Sequence, residues 1–188
     1  MRITKEDLNR RWLVTTLLAA AVFAVLATND LQLRALSGFG SADLQGFSRA
    51  GQYRAAAFVW GQSGYGLRAG FALGLDYLLM PLYALSFFFS GILAREAFAP
   101  RPGRLRRILT LLAAVPIAGA LLDAVENGME LSLLLGQPSD AGAAVVHAVS
   151  SAKWVAVYVG VLLLAGAIVA RVAERQQKRQ KRNAGTNA

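Results

Sequence analysis

ILTLLAAVPIAGALLDAVENGMELSLLL, residues 108–135, is long enough at about 1.5 Å per helical residue to cross the ~30 Å hydrocarbon core of a bilayer, yet it carries three carboxylates. Asp123, Glu126 and Glu130 fall with Asn127 inside an arc of about 100° at helical spacing, so one face of an otherwise apolar helix is acidic. Pro116 and Gly119, a turn or two earlier, can bend the helix and free backbone carbonyls close by.

Working outward, three more stretches have spanning length and apolarity: 12–28, 71–94 and 141–170. The predicted fold is all-α, a four-transmembrane-helix bundle. The first span follows a basic start (Arg2, Lys5, Arg10, Arg11), and Val25 and Ala27 resemble a small-residue cleavage site. Its apolar run exceeds a usual signal-peptide core, so it reads as an uncleaved anchor. Composition agrees: of 188 residues 55% are apolar and 16% charged, with a mean hydropathy of +0.43. The net charge of +9 sits beside the apolar stretches, as cytoplasmic flanks require, so no nucleic-acid partner is expected. With no cysteine, disulfides, thiolate ligands and thiol catalysis are excluded.

Residues 29–71 are too polar and glycine-rich to span. Leu44, Phe47, Tyr53, Ala57, Phe58 and Trp60 recur there at near-helical spacing after Ser41 and Asp43, both competent N-caps, which predicts an amphipathic helix lying on the outer membrane surface. Gly61-Gln-Ser-Gly-Tyr-Gly66 has a phosphate-loop flavour, but with no preceding strand and no following lysine it reads as a connecting turn. Lysines and arginines number four before the first span, five over 95–107 and six over 171–182, against none over 136–140. Counted over the short segments, that asymmetry places both termini in the cytoplasm, and in a bacterium the membrane is the cytoplasmic (inner) one. Residues 1–172 form one domain on this reading, and 173–188 a basic, disordered cytoplasmic tail, with the run Arg171 to Arg182 read as a helix extension before the disorder.

Asp76, Asp123, Glu126, Glu130, His147 and Lys153 lie inside the expected spans or at their edges, where a charge at the helix centre costs roughly 2.5–3.5 kcal/mol. Counting ~1.5 Å per residue from the basic ends puts Asp76, Asp123, Glu126 and Lys153 at about 22–27 Å, and Glu130 and His147 about 8 Å further out. Asp76, Met80, Tyr83, Phe87 and Ser90 share one face of the second span; His147, Ser150, Ser151, Trp154 and Tyr158 share one of the fourth, with Lys153 at its margin. These faces are expected to converge, with Lys153 within ion-pair reach of Asp76, Asp123 or Glu126. Small-residue stripes that favour close helix contact occur at Gly66/Gly70/Gly74, Ala120/Ala124/Gly128 and Ala152/Ala156/Gly160.

The segments Leu75-Asp76-Tyr77-Leu78-Leu79-Met80-Pro81-Leu82-Tyr83, Leu122-Asp123-Ala124-Val125-Glu126-Asn127 and Ser151-Ala152-Lys153-Trp154 resemble those of a widespread uncharacterised group of bacterial four-helix integral membrane proteins. In that group an "LD, aromatic, then Tyr" helix precedes a "DAxEN" helix and a lysine-bearing last helix. The resemblance covers roughly residues 41–165. It implies the topology and singles out Asp76, Tyr83, Asp123, Glu126, Asn127 and Lys153, without implying an activity.

One ion pair would fix helix register; the surplus of carboxylates over Lys153 points instead to a site for a lipid or small polar ligand. The expected function is that of a small membrane binding or accessory protein. The alternatives are a membrane-embedded enzyme acting on a lipid or isoprenoid, with Asp123 or Glu126 as general acid or base and Lys153 as charge stabiliser, or a component of an ion or proton pathway. The candidate residues are Asp76, Tyr83, Asp123, Glu126, Asn127, Glu130, His147 and Lys153. A lone histidine and the lack of a compact ligand motif argue against a metal, and no cofactor signature is present. Membrane lipids are the expected surroundings, and the sequence names no protein partner.

Overall fold

A computed structural model describes residues 4–186, in which helices account for all regular structure: α1 (Lys5–Ser37), a 3-10 turn (Ser41–Gly46), α2 (Ala50–Gln62), α3 (Gly66–Phe98), α4 (Arg104–Leu135) and α5 (Asp140–Thr186). Four of these helices, α1, α3, α4 and the Asp140–Gln177 part of α5, are long and apolar enough to cross a membrane.

Local signals set the ends. Thr4 caps α1 by accepting from Asp7 N–H, and Gly38 closes it in the left-handed region at φ 80°, its N–H bonded to Arg34 O at 2.8 Å. Pro81 and Pro116 sit inside α3 and α4 without ending them, as neighbouring helices permit in spanning segments.

Helix α3 is central. It packs on α1 along one side and on α4 and α5 along the other, while α4 and α5 pack on each other. Glycine permits three of these approaches: a Cβ on Gly91 would meet Ala113, one on Gly119 would meet Ala156, and one on Gly160 would run into the Phe87 ring. The expected stripe Gly66/Gly70/Gly74 is different, because those three positions face open space.

The start of α1 meets the later part of α5 at one end of the bundle, where Lys5 Nζ lies 2.9 Å from Glu174 and Arg171 stacks 4.8 Å over the Trp12 ring. The basic run past residue 170, which the sequence suggests as a helix extension ahead of a disordered end, continues α5 as helix to Thr186. The run is rich in Glu, Arg, Gln, Lys and Ala, all strong helix formers, and meets no Gly before 185. Residues 187 and 188 of that tail lie outside the described residues.

The opposite end is capped. The segment expected to be one surface helix is two elements, broken at the extended Arg49 (φ −136°, ψ 143°), where Ser48 and Arg49 N–H both donate to Gln52 Oε1. Its apolar face packs on the bundle rather than on lipid: Leu44, Phe47, Tyr53, Ala56 and Trp60 are buried together with Leu33, Ala69 and Ala143. Asp140 accepts from Ala50 N–H at 2.7 Å and Arg54 donates to Pro138 O at 3.1 Å, tying the cap to the α4–α5 connection. Phe58 alone of the expected apolar positions points strongly outward, 66% exposed.

Candidate functional site

Three helices supply a buried polar network just beneath the cap. Asp123 and Glu126 come from α4, one turn apart, and Lys153 from α5 reaches both, with Nζ 3.0 Å from Asp123 Oδ1 and 2.6 Å from Glu126 Oε2. Tyr83 on α3 donates its hydroxyl to Asp123 Oδ2 at 3.0 Å, so both oxygens of that carboxylate are engaged. Asn127, next on the α4 face, donates to Asp76 Oδ2 on α3 at 2.8 Å. Asp123, Glu126, Asn127 and Lys153 are all at most 5% exposed, while Asp76 is half-buried and opens the network to its edge. The lysine also lies 5.6 Å from the centre of the Trp154 ring.

Glu130, one turn beyond Glu126, is 1% exposed and its Oε1 has no hydrogen-bond partner; Glu126 Oε1 is likewise buried without one, but Glu126 has the Lys153 ion pair and Glu130 does not. The cap comes down on this end of the carboxylate column. Burial first, then the charges of Glu130 and Glu126, push the Tyr53 phenol on α2 above its ordinary value; its hydroxyl donates to Leu44 O at 3.1 Å.

Seven of the eight candidate residues thus lie along one column: Asp76, Tyr83, Asp123, Glu126, Asn127, Glu130 and Lys153. His147 does not join it. Helix α5 turns Ala143, Val146, Ser150, Lys153 and Ala156 inward, so the expected polar face is off by about one residue, and His147, Ser151, Trp154 and Tyr158 are exposed. The 3.6-residue period lets two adjacent faces share polar positions, and the small residues, not the aromatic ones, mark the packed one. His147 Nδ1 lies 3.4 Å from Gln45 O and Trp154 Nε1 donates to Gln45 Oε1 at 3.0 Å, so both serve the 3-10 turn.

Two residues of α1 were not among the candidates. Thr16 and Ser86 hydroxyls lie 2.7 Å apart, and Trp12 Nε1 donates to the buried Ser90 Oγ at 2.8 Å. These bonds continue the polar face of α3 toward the basic end. The available signal was a tryptophan and a threonine four residues apart in an apolar run, which reads equally as interface anchoring.

Fold and site together define an all-helical protein with four membrane-capable helices, three of which enclose a buried Asp/Glu/Lys network. The chain matches no family model, no curated protein and no solved structure.

Proposed function

We propose that the chain is a multi-pass protein of the bacterial cytoplasmic membrane, akin to the four-helix group it resembles, that binds a lipid headgroup or small polar molecule at the carboxylate column. The observation that carries this reading is Glu130 Oε1, buried without a donor beside a lysine already shared by two other carboxylates. An ion pair holding the helices in register needs one acid and one base, whereas a buried acceptor without a partner costs about 1–3 kcal/mol unless a donor arrives. A ligand bearing N–H or O–H groups supplies it, entering past the half-buried Asp76. Native mass spectrometry of the purified protein is the test. Wild type is expected to retain a species that Glu130→Gln loses; a bare wild type, or equal retention by both, overturns the reading.

Both ends lie in the cytoplasm on this proposal, supported by the basic flanks and by the Lys5–Glu174 contact, which puts the start of α1 and the basic part of α5 at the same end of the bundle. A cysteine at the exposed Ser48 should then react with an impermeant thiol reagent in intact cells and one at the equally exposed Pro102 should not. The opposite pattern reverses the orientation.

A further inference from the structure

At the end of the bundle away from the carboxylate column, α1 and α5 both lean on α3 and leave a groove of about 1280 Å³ between them. That is larger than the roughly 300–1,000 Å³ of a drug-sized pocket. Its floor is apolar, with Phe88, Phe89 and Ile92 of α3, and its walls are Leu8 of α1 and Ala167 and Ala170 of α5. The two alanines keep the α5 wall shallow. The mouth is charged, with Lys5, Arg95, Arg106 and Arg171 set against Glu96 and Glu174, four cations to two carboxylates.

The cations are not equivalent. Arg95 and Arg106 are held by Glu96, at 2.6 and 2.7 Å, and Lys5 by Glu174 at 2.9 Å. Arg171 makes no hydrogen bond or ion pair among the described residues and is instead laid over Trp12 at 4.8 Å. Trp12 is itself fixed: it is 7% exposed, packs against Leu93 and Ala167, and bonds Ser90. A guanidinium parked on a rigid ring, its donor edge unused, is preorganised for a phosphate, which it can take through two parallel N–H bonds.

We infer that this groove seats one anionic phospholipid, its phosphate on Arg171 at the mouth and an acyl chain along the Phe88/Phe89/Ile92 floor. The charge surplus at the mouth selects an anionic headgroup over a zwitterionic one. The apolar floor, in a protein surrounded by lipid, selects a lipid over a free phosphate. The inference rests on the membrane reading alone, not on a ligand at the carboxylate column or on the orientation.

The test is native mass spectrometry of the purified protein in mixed micelles holding equal amounts of phosphatidylglycerol and phosphatidylcholine, a system without sidedness. Wild type is expected to retain one phosphatidylglycerol in preference to phosphatidylcholine. Arg171→Gln should lower that preference about fivefold, the weight of one cation near an anionic headgroup, whereas Arg68→Gln, the same charge change on the capped end, should leave it unaltered. Ala170→Trp, which fills the wall without touching charge, should reduce retention of both lipids and so tests the chain seat even where Arg171→Gln folds poorly. Equal retention of the two lipids by wild type, or an effect of Arg68→Gln as large as that of Arg171→Gln, overturns the inference. Unchanged retention in Ala170→Trp overturns it as well. A species lost in Glu130→Gln but kept in Arg171→Gln belongs to the other site.

Discussion

Replacing Lys153 with methionine conserves most of the side-chain length and removes the only cation in the buried network. Lys153 is 2% exposed and meets Asp123 at 3.0 Å and Glu126 at 2.6 Å, both of them buried. Removing one member of a buried ion pair costs about 3–5 kcal/mol, because the partner is left without compensation, and here two partners are stranded. At roughly 2–4 °C per kcal/mol for a chain of this length, the melting temperature in detergent should fall by roughly 6–20 °C. The assay is thermal unfolding followed by circular dichroism, with Glu126→Gln and the double variant Lys153→Met/Glu126→Gln measured alongside. The double variant should recover part of the loss, a coupling of about 0.5–3 kcal/mol, since the glutamine no longer needs the ammonium. A melting temperature for Lys153→Met within 2 °C of wild type, below what the ~3 kcal/mol floor allows, would refute the reasoning. So would strict additivity in the cycle.

Gly91→Ala should destabilise the bundle by about 1–3 kcal/mol in the same assay, because the new Cβ would stand 2.8 Å from the Ala113 Cα. Gly70→Ala, facing open space, should instead stabilise by up to about 1 kcal/mol through helix propensity, and equal effects of the two would contradict the close approach of α3 and α4. For Tyr53 the raised phenol means that the folded state holds its proton more tightly than the unfolded chain, whose tyrosines ionise near pH 10. Its contribution is therefore complete below about pH 10 and lost as pH rises beyond it, so unfolding measured from pH 9 to 11 should show a smaller alkaline decline in Tyr53→Phe than in wild type. Tyr83→Phe should cost about 1–3 kcal/mol by leaving the buried Asp123 Oδ2 without its donor, read as a lowered melting temperature at neutral pH.

The four long helices were legible because hydropathy and length are properties of the chain alone, and a span has few other ways to satisfy its backbone. Asp123, Glu126, Asn127 and Glu130 were legible for a related reason: a single helix fixes their common face whatever packs against it. The angular position of α5 was not. His147 and Lys153 differ by six residues, which leaves them on different sides of the helix, and whether α5 turned the histidine or the lysine inward depended on Gly119 admitting Ala156 and Gly160 admitting Phe87. The cap escaped for the opposite reason. Its apolar residues have the spacing of a surface helix, and what turns them onto protein lies far away in sequence: Leu33, Ala69 and Ala143, with the Asp140 and Pro138 contacts ninety and eighty-four residues off. Long-range hydrogen bonds of this kind leave no local pattern.

The burial of Glu130 distinguishes a site from a strut. Asp123 and Glu126 each have Lys153, and Asp76 has Asn127, so each of these acids has a partner across the helices, although Glu126 Oε1 is buried without a hydrogen bond as Glu130 Oε1 is. Glu130 has neither an ion pair nor a hydrogen bond among the described residues, and an apolar residue in its place would pack under the cap without needing a partner for Oε1. Its charge also reaches Tyr53, which is buried in the cap at this end of the column. If Glu130 were only tolerated, Glu130→Leu should stabilise the protein and leave every retained ligand in place, as apolar replacements of buried charges often do. If it holds a ligand, the same substitution should raise the melting temperature of the ligand-free protein while abolishing binding. Stability and retention measured on that one variant separate the two, since only the second pairs a gain in the first with a loss in the other.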